Sequence, residues 1–460
     1  MPFALPVFLL FDNELRGSVL QENLSFDGAG RLAFVHGGSV QVIQCPDVAS
    51  EMVGRSERPP EMRLDVLNDK RLRERATARS TLVRGAATKS KSSKNSKSKS
   101  DKQTTSSVSA VSFPEELERQ ATSQYQTYER MDGLTALEWW RTKQVHSSSK
   151  IEPADRLAIA IDATDKSPAA IVLLANTSPS SSDIKMQIEA LFYLKNVSMT
   201  GNVIVQRICH LVSLSSVALG NMLFCSTDTG HVMGFSPLPG KHKDQIELSN
   251  DVTMGSLGAS TSALCCDQLG VPYVAAAAEN GNVRIWELEV ASQDVITFRE
   301  IGSIQLKNAP VTCEDPEALI GCAMKMRGGI LCIGLLCGVV LVYDLNVLSH
   351  ERQEPQLLCS MQVHASPVIA MDVHPLADWI VVTGLDCRIS LIAFSRELGR
   401  EPTLVFSVCV TTPCMGVTFC ERGLHSPSFY CAFFEMRYIA LYRYTAEPAT
   451  KRVEENGSIA

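Results

Sequence analysis

His364 and His374 flank an apolar stretch with Asp372 between them. An imidazole near a carboxylate is a common arrangement for general acid–base work. The blander reading is stronger, because His374-Pro375 opens a turn. Gly255-Ser256-Leu257-Gly258 approaches a nucleophile elbow, but its spacing is wrong. Gly28-Ala29-Gly30 supplies half of a dinucleotide fingerprint, yet a strand follows it rather than a helix, so a hairpin turn is expected. Glu314-Asp315 lies in a proline-containing loop and is expected to be solvated. No phosphate loop and no HExxH occurs. These residue types do not assemble a catalytic constellation. The expectation is therefore a chain that is no enzyme, with no cofactor, no metal and no small-molecule substrate.

The fifteen cysteines are odd in number and contain no CxxC pair, which removes the usual zinc and redox spacings. Cys332 with Cys337 and Cys409 with Cys414 are five apart without neighbouring histidines. Cys265, Cys322, Cys332, Cys409, Cys420 and Cys431 fall inside apolar strand-like runs, where a free thiol behaves as a small hydrophobe. Buried thiols imply a reducing compartment, so the cytoplasm is expected, with the nucleus as the alternative.

The elements that carry these residues follow from composition. The chain has 460 residues, 45% apolar and 20% charged, enough for a sizeable core. The longest uncharged apolar run, Gly329 to Tyr343, is too short to span a bilayer, and no transmembrane segment is expected. Phe3 to Phe11 is apolar but lacks a basic lead and makes a poor secretory signal. Net charge is -7 and uneven. Lys70 to Lys102 holds twelve Lys and Arg against Glu74 and Asp101, or +10, which leaves -17 for the remainder. Any general affinity for anionic partners must reside in that arm.

Residues 1–45 read as short strands separated by glycine turns, forming a first blade and a ring-closing strand at Pro6 to Phe11. Residues 46–150 break the pattern. Thr88 to Ser109 is dominated by Ser, Lys and Thr and cannot bury enough surface to offset the entropy of ordering. Short helices are expected near residues 113–144, from Ser112-Phe113-Pro114-Glu115 and from Thr135-Ala136-Leu137-Glu138 before Trp139 and Trp140. The tryptophan pair is expected to anchor this segment by packing. Residues 151–446 are strand after strand, and 447–460 form a disordered tail.

Self-comparison of the strand-rich part shows a repeat. Asn280-Gly281-Asn282-Val283-Arg284-Ile285-Trp286-Glu287 recurs in frame as Cys337-Gly338-Val339-Val340-Leu341-Val342-Tyr343-Asp344. Further copies start at Thr229 and Asp386, and a degenerate one ends near Tyr442. The terminal aromatic or apolar residue falls at 235, 286, 343, 392 and 442, a spacing of 49 to 57. These units resemble WD-repeat blades. Trp286-Glu287 and Tyr343-Asp344 stand where that family has Trp-Asp, His364 where it has its loop histidine, and Asp386 where it has its turn aspartate. The resemblance implies a buried hydrogen-bond network that stiffens each blade. Here the network is incomplete, with Ile392 in place of the tryptophan and Asn280 in place of the aspartate, so apolar packing must carry blade stability. Setting aside residues 46–150 leaves 355, which at a period near 50 gives an all-β, seven-bladed β-propeller of WD-repeat type. Its blades are expected at 24–45, 155–198, 200–237, 245–289, 297–346, 356–396 and 402–446.

The resemblance implies binding through loops at the ends of the ring. On the face formed by the second-to-third strand turns and the loops before each first strand, the candidate protein contacts are Asp228, Glu279, Leu336, His364, Ser366, Leu385, Glu435 and Arg437. An ordinary solvated turn is the competing reading for each. The arm lysines Lys89, Lys91, Lys94, Lys97, Lys99 and Lys102 offer contact with an acidic partner, whether nucleic acid, anionic membrane or an acidic protein tail. The competing reading is a solvated linker. The arm is expected to leave from the end of a third strand, on the opposite face. The function expected is a non-enzymatic scaffold that holds other proteins together, or alternatively an adaptor tethered by the arm.

Overall fold

The computed structural model describes residues 7–10, 24–27, 31–36, 39–44, 61–64 and, with short gaps, 134–443. Six four-stranded antiparallel sheets follow one another along the chain from residue 134. Sheet I comprises Leu134–Trp140, Arg156–Ile161, Ala170–Asn176 and Met186–Tyr193. Sheet II comprises Ile208–Ser216, Gly220–Thr227, His231–Phe235 and Val252–Ser256. Sheet III comprises Thr261–Cys266, Tyr273–Ala278, Asn282–Ser292 and Val295–Gln305. Sheet IV comprises Gly321–Arg327, Ile330–Leu335, Val339–Asp344 and Gln356–Gln362. Sheet V comprises Val368–Val373, Trp379–Gly384, Arg388–Ala393 and Thr403–Cys409. Sheet VI comprises Cys414–Phe419, Ser428–Phe433 and Tyr438–Arg443, completed by the distant strand Val7–Leu10 in register Val7↔Leu441 to Leu10↔Tyr438. A further N-terminal sheet, Leu24–Phe26, Arg31–His36, Ser39–Gln44 and Glu61–Leu64, stands between sheets VI and I.

This is an all-β propeller. A single blade cannot bury both of its faces, so each sheet shares an apolar core with each neighbour. Leu214, Phe224 and Val232 of sheet II pack on Leu264, Val274 and Trp286 of sheet III. Similar cores join III to IV, IV to V, and V to VI. The N-terminal sheet lays Leu24, Leu32 and Phe34 against Tyr430 and Leu441 of sheet VI, and Ala33, Val40 and Val42 against Leu137 and Leu157 of sheet I. Alanine is a weak strand former, yet Ala275–Ala278 occupy a strand that is wholly buried. Side chains alternate along a strand: Ala275 and Ala277 face the III/IV core while Ala276 and Ala278 face the II/III core. A Cβ built at Gly321 would already lie 3.2 Å from the Ala277 Cβ, so only small residues fit there.

Three expectations need correction. The blade boundaries are displaced by one strand: Val252–Ser256, assigned with the blade at 245–289, hydrogen-bonds instead to His231–Phe235 as the outer strand of sheet II. The sequence repeat starts on an outer strand, and the sheet starts on the next, inner one. The seven equal blades become six consecutive sheets plus the shorter N-terminal one. Residues 134–140 form the inner strand of sheet I rather than a helix. The helix-start cue at Thr135 loses to alternation, because Trp139 and Trp140 must enter opposite cores. Other expected helical turns near 113–133 and the tail 447–460 lie outside the described residues. Among the described residues, helix is limited to short 3-10 turns at Leu306–Asn308, Pro316–Ala318 and Asn346–Ser349. Among the described residues, no helix is long and apolar enough to cross a membrane.

Candidate functional site

The face that bears the second-to-third strand turns is built by one repeated backbone device. The N–H groups of Asp228, Glu279, Leu336, Leu385 and Phe434 donate to the carbonyls of Arg207, Ser260, Ile320, Pro367 and Pro413, at 3.1, 3.0, 3.0, 3.0 and 3.0 Å respectively. Each bond ties a turn to the loop before the inner strand of the same sheet. Two residues after the tied position the chain turns left-handed, at Gly230 (φ 79), Gly281 (φ 82), Gly338 (φ 82) and, without a glycine, Cys387 (φ 58). Glycine meets that conformation at no steric cost. Thus sheets II to V present geometrically equivalent turns with different side chains.

The side chains then divide. The Asp228 carboxylate accepts the Arg207 backbone N–H at 2.9 Å. Burial pushes the Glu279 carboxyl up to about 6, against a hydrogen bond to Ser260. Leu336 is half-buried. Leu385 is 7% exposed and His364 2%, so these two shape the face from beneath. The His364 Nδ1 donates to Asp386 Oδ1 at 2.9 Å, and the other Asp386 oxygen accepts the Ala365 N–H at 3.1 Å. Burial alone would raise the Asp386 carboxyl, but the hydrogen bonds from His364 and the Ala365 and Arg388 amides hold it below its ordinary value. Ser366 Oγ accepts the Asp386 N–H at 2.6 Å. Glu435 and Arg437 lie outside the described residues, and the equivalent position in sheet VI is held by Phe434.

Of the blade-motif residues, Trp286 is buried at 1% in the II/III core. Tyr343 is buried, which pushes its hydroxyl up to about 12. Asp344 accepts from the Asn346 backbone N–H at 2.9 Å and from its side-chain amide at 2.8 Å, which closes a turn at the opposite end of sheet IV. Among the described residues, the expected network survives as the His364–Asp386 pair. Thr383, on the second strand of sheet V, donates instead to the Cys414 carbonyl at 2.9 Å.

The arm lysines Lys89, Lys91, Lys94, Lys97, Lys99 and Lys102 lie outside the described residues. The strands that bracket the arm are described, and they correct its placement. Val40 pairs with Leu64 beside the His36↔Ser39 turn, and Leu134 pairs with Ile161, itself opposite Ala170. The chain therefore leaves at Leu64 and returns at Leu134 on the turn-bearing face. The sequence misplaced it because Glu61–Leu64 was not recognised as a fourth strand, which reverses the direction of the chain.

The inner strands and their ends hold further polar groups, of which Glu138 was not singled out from the sequence. The Glu138 carboxyl accepts from Ser25 Oγ at 3.1 Å and from Ser213 Oγ at 3.0 Å, linking the N-terminal sheet, sheet I and sheet II. Burial pushes it up to about 7, opposed by Lys325 and by the serine hydrogen bonds. Asp372 accepts from Gln268 Nε2 (3.0 Å), Thr418 Oγ1 (3.1 Å) and the Val373 and Phe419 N–H groups (2.9 and 2.8 Å). His374 Nδ1 accepts the Ala377 N–H at 3.0 Å, and burial with the nearby Arg327 lowers the ring to about 4. His364 stands at the other end of the strand, so His364, Asp372 and His374 do not converge. Among the described residues no group of three or more His, Cys, Asp or Glu side chains could hold a metal ion.

No protein-family model matches the chain. No curated protein matches it. Many solved structures resemble it in shape. A chain of the mitotic checkpoint complex is 10% identical, with 96% of this chain and 94% of that one covered at a TM-score of 0.50. Chaetomium thermophilum Sqt1, bound to the N-terminus of the ribosomal protein L10, is 11% identical over 70% of this chain and 76% of that one, with a TM-score of 0.46. BBS1N in complex with ARL6DN is 10% identical over 96% and 98%, with a TM-score of 0.47. At such identities the likeness is one of fold, a β-propeller.

Proposed function

We propose that the chain is a non-enzymatic propeller scaffold that binds other proteins through its turn-bearing face. The ring in this reading has seven blades, with the N-terminal sheet as one of them, supported by the cores it shares with sheets VI and I. The observation that carries the function is the repeated turn: a constant backbone bond at Asp228, Glu279, Leu336 and Leu385 with side chains of differing charge and size. A rigid frame with variable tips is how loops acquire recognition while strands stay committed to one another. Within the WD-repeat family, Leu15-Arg16-Gly17-Ser18, Phe34-Val35-His36-Gly37, Val363-His364-Ala365 and the stretch from Ser428 to Tyr444 resemble WD repeat-containing protein fifty-four. That finer reading rests on these residues alone, while the buried thiols point to the cytoplasm or nucleus.

Affinity purification of the full chain and of a Glu279→Lys, Leu336→Asp variant tests the proposal. Defined protein partners should be recovered with the first and lost with the second, at unchanged thermal midpoint. Equal recovery by both variants removes the face from consideration.

One observation favours a second contribution. The +10 arm departs from and returns to this same face, so an acidic partner docked there would meet it as well. Deleting residues 70–102 should weaken binding and flatten its salt dependence. An unchanged salt slope leaves the arm a linker.

A further inference from the structure

Trp139 lies on the inner strand of sheet I, an edge of its sheet, so backbone groups on that strand's free side need partners from elsewhere. The Trp139 N–H donates to Ser25 Oγ of the N-terminal sheet at 3.2 Å, and the Trp139 carbonyl accepts from Ser213 Oγ of sheet II at 2.8 Å. The Glu138 carboxyl stands between the same two hydroxyls, with Oε2 3.1 Å from Ser25 Oγ and Oε1 3.0 Å from Ser213 Oγ. A serine hydroxyl carries one hydrogen. Ser25 accepts from Trp139 and gives its hydrogen to Oε2. Ser213 faces two acceptors, Oε1 and the Trp139 carbonyl, and its hydrogen can serve only one of them.

We propose that Glu138 is a proton-binding site, held as the neutral acid where the N-terminal sheet meets sheets I and II, so that closing this seam takes up one proton. The added proton completes a circuit. Glu138 Oε1–H donates to Ser213 Oγ, which frees the Ser213 hydrogen for the Trp139 carbonyl. The Trp139 N–H donates to Ser25 Oγ, and the Ser25 hydroxyl donates to Glu138 Oε2. Four donors thus meet four acceptors. With the carboxylate ionised the circuit is one hydrogen short, and either Oε1 or the Trp139 carbonyl loses the Ser213 donor. The proton comes from the aqueous medium and returns to it when the seam opens, so no other reactant is needed.

The surroundings favour the same state. Glu138 keeps part of its surface exposed, but crowding by protein pushes its carboxyl up to about 7. The charge that opposes this is Lys325 of sheet IV. From sheet III the Cys266 thiol donates to the Ser213 carbonyl at 2.7 Å, and burial holds that thiol well above its ordinary value. Other polar groups on the packed elements are engaged with partners of their own. Arg31 pairs with Asp27 and lies 4.6 Å over the Trp139 ring, Arg156 pairs with Asp155 and Glu189, and His210 bonds to Ser226. An opened seam returns the carboxyl towards its ordinary 4.5, so proton uptake on closing is confined to the window from 4.5 to about 7. Acidification within that window tightens the seam. The basic arm enters at the same place, because the N-terminal sheet ends at Leu64 and sheet I begins at Leu134.

Infrared difference spectra of the folded full chain, titrated from about pH 5 to about pH 8.5, detect the acid directly. The carbonyl stretch of a neutral carboxylic acid should disappear with a midpoint of about 7, where an ordinary glutamate is already ionised. That component should be missing in Glu138→Gln, while Glu279, raised to about 6, titrates below it. The glutamine amide keeps the shape of the acid and can donate to Ser213, so this variant should fold. Native-state hydrogen exchange reads the seam itself. After correction for intrinsic rates, opening at the peptides that carry Ser25 and Trp139 should rise by up to about tenfold per pH unit between about 5 and about 7 in the parent chain, and stay flat in Glu138→Gln. Absence of the acid component, or its retention in Glu138→Gln, overturns the proposal, as does a seam whose pH dependence is the same in both chains. Neither readout depends on partner binding, so failure here is distinct from failure of the scaffold reading.

Discussion

The Gln268 amide donates to the Asp372 carboxylate at 3.0 Å. Gln268, two residues past the inner strand of sheet III, thus reaches the inner strand of sheet V directly. The same carboxylate accepts from Thr418 and Phe419 of sheet VI, so one buried side chain holds three parts of the ring.

Asp372→Ala should strand several donors at once and cost about 2–4 kcal/mol, since each buried group left unpaired costs about 1–3 kcal/mol. Gln268→Ala removes one donor and should cost about 1 kcal/mol. Equilibrium denaturation of the two variants checks the ordering. Equal losses would mean that Asp372 works chiefly through the Gln268 contact.

Trp139 and Trp140 are 3% and 0% exposed and enter different cores. Truncation of either to alanine should cost about 3–5 kcal/mol. Neither indole N–H has a partner among the described residues. Phenylalanine, which removes that donor while keeping an aromatic ring, should cost well under half as much. A thermal-shift comparison of Trp140→Ala with Trp140→Phe reads the difference directly.

Gly338 and Gly258 share a left-handed backbone, φ 82 and 77, but not their surroundings. A Cβ at Gly338 would fall 2.1 Å from the His364 carbonyl oxygen, whereas at Gly258 nothing lies within 4 Å. Gly258→Ala should therefore cost only the backbone term, about 1–2 kcal/mol, and Gly338→Ala clearly more. Cys387→Gly should gain up to about 1 kcal/mol, because Cys387 holds the same kind of conformation at φ 58 without a glycine.

The pH dependence carries two opposite signs. The folded-state value of Asp386 is depressed, so its contribution to stability is present above its ordinary value of 3.8 and is lost as the pH falls through the lower folded value. Glu138 is raised from 4.5 to about 7, so ionising it in the folded chain opposes stability. That penalty is absent below 4.5, grows between 4.5 and about 7, and is complete above. Glu138→Gln should gain thermal midpoint relative to the parent chain on going from pH 5 to pH 8. A difference independent of pH would show that Glu138 does not titrate in that window.

The propeller was legible because tight turns and β-branched runs recur at fixed spacing, and Trp286 and Tyr343 mark third strands plainly. Fourth strands were harder to see. Thr403–Cys409 is largely exposed and shows no clean alternation, so only pairing to Arg388–Ala393 identifies it. Glu61–Leu64 is four residues within a charged stretch, and missing it placed the arm on the wrong face. Glu138 was hidden for another reason. A carboxylate beside two tryptophans gives no sign of its role until Ser25 and Ser213 arrive from sequence separations of 113 and 75 residues.

Val7–Leu10 is the first described strand of the chain, and it hydrogen-bonds to Tyr438–Leu441 near the other end. During synthesis Val7–Leu10 is made well before Tyr438–Leu441, the strand whose edge it joins. The final latch of the ring is consequently its most sequence-distant contact, the kind whose closure entropy slows folding.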